Sequence, residues 1–249
     1  MLHMEKHQRR YFGDGKEIII LAGTLMILTL ALSACARVKS LRGDVPPPEW
    51  QENFSILDRK LSDIGESRYF ILKPGFKMIL ESQFEKLTIT VLDETKVING
   101  ITTRVLEERE ERNGELIEIS RNYHAIDPGT GDVFYFGEEV DIYSQGQITG
   151  HSGAWIAYDD QNRPGLIMAG TPVVGMKYYQ EVAPGVAMDR AKVVSVSETF
   201  TTIAGEFENC LVTQESSQIN PAAIEYKTYC PGIGLVQDQS LVLTSYGNE

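Results

Sequence analysis

The chain is poor in the residues from which metal centres and nucleophilic active sites are built: of its 249 residues three are cysteine and four are histidine. No two cysteines stand at C-x-x-C spacing, no cysteine and histidine cluster as zinc ligands do, and there is no H-E-x-x-H, which excludes a dithiol redox motif and the common zinc modules. The glycine patterns that cradle phosphates and dinucleotides are absent too. Basic residues are in the minority, 23 Lys and Arg against 35 Asp and Glu for a net charge of -12, so the cationic footprint that displaces counterions from nucleic acid is missing. No cofactor and no nucleic-acid partner is therefore expected. No stretch repeats at a period of about 20 to 50 residues, which argues against a solenoid or propeller. What remains is an ordinary globular composition, 42% hydrophobic and 23% charged, sufficient for about one or two domains and incompatible with disorder throughout.

The first 34 residues differ in kind from the rest. Lys6, Arg9, Arg10 and Lys16 precede an apolar run over 18–34 that is broken only by Gly23, Thr24, Thr29 and Ser33. At 17 residues the run is slightly long for a signal core and slightly short of the ~20 that cross a bilayer squarely. Its end is more informative than its length: Leu32-Ser33-Ala34-Cys35 places small side chains before a cysteine. This tetrapeptide resembles the lipobox of bacterial lipoproteins. The resemblance implies a signal peptide over 1–34, lipid (diacylglyceryl, then acyl groups such as palmitate) on Cys35, and attachment to a membrane through that lipid. Two or more chains hold stably, at about 0.8 kcal/mol per buried methylene. The competing reading is an uncleaved apolar helix with Cys35 as an interfacial thiol. Residue 36 is alanine and not aspartate, so the resemblance implies sorting to the outer membrane, facing the periplasm, in a two-membrane cell. Arg9-Arg10-Tyr11-Phe12 is similar to the R-R-x-F core of twin-arginine signals, but Gln8 and Gly13-Asp14 depart from that pattern, and the strongly apolar core favours the general secretory route.

Residues 35–50 read as a tether stiffened by Pro46-Pro47-Pro48. Trp50, Phe54, Ile56 and Leu57 lie partly at helical spacing, which predicts one short helix over 49–65 ended by Gly65. From about Phe70 the period becomes two. Leu87, Ile89 and Val91 alternate with threonines, and Asn99-Gly100 and Asn113-Gly114 supply the positive φ pairs of tight hairpins. Counting outward from Asn113-Gly114 sets Arg112 opposite Glu115 and Arg109 opposite Glu118, so the run over 107–112 reads as a solvated hairpin arm. Further turn signals occur at Asp127-Pro128-Gly129, Gln145-Gly146, Asn162-Arg163-Pro164-Gly165, Ala183-Pro184-Gly185 and Asn220-Pro221. The expected fold is all-β: one antiparallel up-and-down sheet or half-barrel spanning 51–249.

Tyr229-Cys230-Pro231-Gly232-Ile233-Gly234-Leu235-Val236 resembles a Y-x-P-G-[IV]-G-L-V segment found near the end of secreted bacterial β-proteins. That resemblance implies a curved antiparallel sheet like those of lipoprotein-handling carriers, and it brings no catalytic residues. If Cys35 carries lipid, Cys210 and Cys230 remain, equidistant from the Asn220-Pro221 turn and hence opposite one another, where an export compartment permits a disulfide. Two buried thiols are the alternative.

Removal of the signal peptide also removes His3 and His7, leaving His124 and His151. Gly150-His151-Ser152-Gly153 is one glycine short of G-x-S-x-G because Ala154 follows. An envelope serine hydrolase would use Ser152 with His124 or His151 and an acid such as Asp159 or Asp160. Asp127 and Asp132 offer oxygens that calcium could accept, although Asp-Pro-Gly is a turn signal in its own right. Phe134, Tyr135, Phe136, Trp155, Tyr158, Tyr178 and Tyr179 supply apolar area for a core or for a concavity holding an apolar small ligand. The first expectation is thus a non-enzymatic binding, carrier or assembly protein whose partners are a membrane, an apolar ligand or another envelope protein.

Overall fold

The computed structural model describes residues 49–159 and 161–248. Within them β1 (Gly65–Ser67) and β2 (Phe70–Leu72) form a small hairpin. The rest of the described chain is one meander. β3 (Phe76–Glu81), β4 (Glu85–Ile98), β5 (Ile101–Arg112), β6 (Glu115–Ile126) and β7 (Val133–Ser144) pair in sequence order, all antiparallel. β8 (Gln147–Gly150), β9 (Trp155–Ile156) and β10 (Arg163–Met168) all pair with β7 and together make one interrupted strand. β11 (Lys177–Tyr179) and β12 (Glu181–Val182) run back down, followed by β13 (Asp189–Thr202), β14 (Gly205–Ser217), β15 (Ile224–Cys230), β16 (Gly234–Asp238) and β17 (Leu241–Asn248). β17 then pairs with β3.

The circuit closes at its other seam through one short segment. β11 pairs with β13 while β12 pairs with β10, and only Gln180 separates the two. The expected half-barrel is therefore an almost complete barrel-like sheet, the arrangement that leaves fewest strand edges unpaired. Asn162-Arg163-Pro164-Gly165, read from sequence as a turn, instead begins β10 at this seam. Gly165 is needed there because a Cβ would lie 2.1 Å from the Gln180 carbonyl oxygen.

The hairpin residues behave as their chemistry demands. Asn99, Gly100, Asn113, Gly114, Gln145 and Gly146 all have positive φ, as two-residue hairpin turns with the twist of the flanking strands require. The pairing at Asn113-Gly114 shifts by a bulge between Glu110 and Glu111, so Arg112 does face Glu115 but Arg109 faces Ile119 and Glu110 faces Glu118. The helix expected over 49–65 is not formed. A single 3-10 turn, Ile56–Asp58, stands there in otherwise extended chain. Its apolar side chains go to different strands: Trp50 lies 6.1 Å from Tyr179, and Phe54 lies 6.1 Å from Phe134. Trp50, placed by sequence at the end of the tether, is thus part of the packed domain.

One end of the barrel, here the upper end, bears the turns at 99–100, 127–132, 203–204 and 231–233. The β1–β2 hairpin crosses it: the Phe70 ring sits 5.2 Å from His124 on β6, the Tyr69 hydroxyl donates to the Asn209 carbonyl on β14 at 2.9 Å, and Gly232 N–H donates to the Arg68 carbonyl at 2.9 Å. Arg104, only 4% exposed, pairs with Asp63 and, at 3.2 Å, with Asp93, fastening the same segment to the sheet. The apolar core fills this upper half together with the wall of β3 and β4, where Leu80 faces Leu87 and Met78 faces Ile89.

Candidate functional site

The residues singled out for hydrolysis do not meet. His151 lies outside the barrel wall, its Nδ1 within 2.8 Å of the Val140 carbonyl and 3.0 Å of Asp141, while Ser152 is exposed in the following loop and bonded to neither histidine. This cleft beside β7, about 310 Å³, is lined by Arg121, Glu139, Asp141 and His151. His124 is on the opposite side of the sheet, 3% exposed between Phe70 and Tyr135, and burial pushes its pKa down to about 3, which keeps the imidazole neutral. Asp159 lies in the loop after β9, and Asp160 lies outside the described residues. Ser152 and His124 therefore lie on opposite faces of the sheet, His151 is engaged by Val140 and Asp141 and not by Ser152, and the triad geometry is not assembled.

The carboxylates of the 127–132 turn already hold a cation. The Arg59 guanidinium sits 2.9 Å from Asp127 and 3.0 Å from Asp132. The second oxygen of Asp127 accepts the Gly129 N–H and that of Asp132 accepts the Gly170 N–H, both at 2.9 Å. The Asp127 carboxyl is held below its usual range because these hydrogen bonds and the guanidinium outweigh its partial burial. The turn is a clasp on the N-terminal segment and not a calcium loop.

Cys210 and Cys230 are joined in a disulfide between β14 and β15, with Cα atoms 4.3 Å apart. The flanking pair Leu211 and Tyr229 confirms that the cysteines are opposite residues of one hairpin. Cys35 and the tetrapeptide that it ends lie outside the described residues.

The most unusual chemistry lies in the lower half of the lumen, and the charged run over 107–112 belongs partly to it. Register carries one face across the wall: Ile89 on β4 faces Glu108 on β5, Glu108 faces Ser120 on β6, and Ser120 faces Val140 on β7. Glu108 thus points inward, and it interacts electrostatically with Lys227 on β15 and Asp238 on β16. Those strands are five and four steps away around the circuit, so the interaction crosses the interior. Lys227 lies 3.4 Å from Glu215 and 3.5 Å from Asp238. Glu215 also accepts hydrogen bonds from Thr213 at 2.8 Å and from Gln180 and Tyr229 at 3.3 Å.

The charges here are strongly displaced. Burial lifts the Glu108 pKa to about 7, with Lys227 opposing the shift and Glu110, Asp238 and Glu118 reinforcing it. Glu181 is raised well above the usual carboxylate range by burial and then by Asp189 and Glu138. Burial disfavours the Lys227 ammonium, but Asp238, Glu215, Tyr229 and Glu108 prevail and hold it charged. Above this acidic floor Tyr135 donates to Asn122, and its ring meets Trp155 edge-on at 5.4 Å and His124 at 4.8 Å. Among the described residues four buried polar atoms have no hydrogen-bond partner, and all belong to this interior: His124 Nδ1, Trp155 Nε1, Tyr178 Oη and Asp238 Oδ1. Among the described residues no three His, Cys, Asp or Glu side chains converge closely enough to hold a metal ion.

Sequence reasoning missed this cluster because a run of alternating charge looks the same on a strand facing solvent and on a strand facing the interior of a barrel. The available signal was the alternation itself, which puts Glu108 and Glu110 on the face of Leu106.

No known protein family matches the sequence, and no curated protein matches it. Among solved structures the chain is similar to the crystal structure of a candidate lipoprotein from Parabacteroides distasonis, at 11% identity and a TM-score of 0.34, over 74% of this chain and 100% of that one. A likeness so distant transfers neither a site nor a function.

Proposed function

We propose that this protein is a bacterial envelope lipoprotein, anchored through lipid on Cys35 in the outer membrane and facing the periplasm, whose barrel acts by binding and not by catalysis. Three features support the anchoring. The apolar run over 18–34 ends on Leu32-Ser33-Ala34-Cys35, a Pro-rich spacer follows, and packed structure has begun by Trp50. The Cys210–Cys230 disulfide fits an exported, oxidising environment. The observation that carries the binding role is the interior: a barrel wall with buried polar atoms left without partners and, among the described residues, no nucleophile and base brought together. Metabolic labelling with an alkyne fatty acid tests the anchor. The parent chain takes up label and fractionates with membranes, Cys35→Ala does neither, and equal labelling of the two would defeat the reading. Solvent extraction of protein purified natively from membranes, followed by mass spectrometry, tests the binding role.

A further inference from the structure

The lumen pairs an excess of carboxyl groups with polar groups that the chain itself leaves unsatisfied. Strands β5, β7, β12, β14 and β16 bring Glu108, Glu138, Glu181, Glu215 and Asp238 there, and the ammonium of Lys227 in this network already spans Glu215 and Asp238. Buried hydrogen-bonding groups are normally paired, and an orphaned one costs about 1 to 3 kcal/mol. Yet Trp155 Nε1 (4% exposed), His124 Nδ1 (3%) and Tyr178 Oη (0%) are all orphaned within the same interior. Their directions follow from the register. Trp155 stands directly opposite Glu138 in the β7–β9 pairing and so shares its face. Tyr178 faces Ala191, which faces Glu215, and its hydroxyl interacts with that carboxylate. Unsatisfied donors beside aromatic rings and carboxylates form a surface complementary to an organic cation that also carries a hydrogen-bond acceptor. The ring faces attract the charge, the carboxyl groups ionise beside it and neutralise it, and the indole N–H meets the acceptor. A bare metal ion fits poorly, since among the described residues no three ligating groups converge.

We propose that the lower lumen, walled by Tyr135 and Trp155 and floored by Glu108, Glu138 and Glu181, binds a small organic cation of the ammonium or guanidinium class on an apolar or aromatic body. This inference rests on the binding role stated above and gives it a ligand chemistry.

The chain has two tryptophans, so in the full-length Trp50→Phe protein in detergent, Trp155 is the one fluorescent reporter. Titration with phenethylamine quenches or shifts its emission, whereas phenethyl alcohol, phenylacetate, decanoate and calcium chloride do not. Glu138→Gln and Glu181→Gln, each checked for a native circular dichroism spectrum and unfolding transition, weaken phenethylamine by about tenfold or more. Equal affinity for the alcohol, or preference for decanoate, overturns the cation while leaving the binding role standing. A calcium response without an amine response makes the site a metal site and also overturns it. No response to any probe, together with no molecule recovered by native extraction, overturns both.

Discussion

Glu108→Gln is the substitution from which the lumen's energetics can be read most directly. In the folded chain the Glu108 carboxyl titrates at about 7 against an ordinary 4.5, because burial, then the charges of Glu110, Asp238 and Glu118, disfavour the carboxylate more than Lys227 favours it. A carboxyl whose folded pKa is raised adds stability that is complete below its unfolded pKa and is lost as pH climbs through the folded one. The parent chain therefore loses stability between about pH 4.5 and pH 7 from this residue. At 1.36 kcal/mol per pH unit the full displacement is worth about 3 kcal/mol, and the solvent contact that Glu108 retains in the lumen trims it to about 2 kcal/mol. Glutamine keeps the shape and a hydrogen-bonding end but cannot ionise. Urea unfolding followed by circular dichroism is expected to find the variant about 2 kcal/mol more stable than the parent near pH 8 and equal to it near pH 4. His124 contributes oppositely: its pKa is held down to about 3, so its share is present above about 6.5 and is lost as the medium is acidified toward 3. That share is common to both proteins and cancels in the difference. Parallel stability curves across this range, or a variant weaker than the parent near pH 8, would refute the inward placement of Glu108.

Replacing both Cys210 and Cys230 with serine opens a loop of 20 residues, and the chain-entropy relation gives a loss of about 3 kcal/mol, measurable as a shift in the urea midpoint relative to the oxidised parent; unchanged stability would mean that the bond is not formed in the mature protein. Gly165→Ala drives a methyl to 2.1 Å from the Gln180 carbonyl, so the segment over 177–182 has to move. The expected cost is about 1 to 3 kcal/mol with faster amide exchange confined to that segment, and unaltered exchange there would show that the seam is not closed as described.

Much of the architecture was legible because hairpin turns are local chemistry. Asn99-Gly100 and Asn113-Gly114 need only their own φ preferences to fix where strands reverse, and the equal distances of Cys210 and Cys230 from Asn220-Pro221 need only the resulting register. What resisted reading depends on contacts between distant parts of the chain. Trp50 and Phe54 share a spacing that suits a helix, but Tyr179 and Phe134 pull them to separate strands. Pro164-Gly165 has the composition of a turn and becomes wall because the Gln180 backbone passes against it. The lumen was hidden for the same reason: only closure of the circuit sets Glu108 across the interior from Lys227.

The pairing of β17 with β3 also governs how the molecule can be made. The Thr244 hydroxyl reaches the Ile79 carbonyl across 165 residues of chain, so the join cannot form until nearly the whole meander has emerged and folded behind it. Folding rates fall steeply as contacts become non-local, and this join comes late and slowly. Until then β3 and β17 each present a row of unsatisfied amides and carbonyls, open to other chains crowding the same compartment. The 14 residues of β4 and of β13, in long hairpins closed by local turns, supply the early and self-contained structure on which that last step waits.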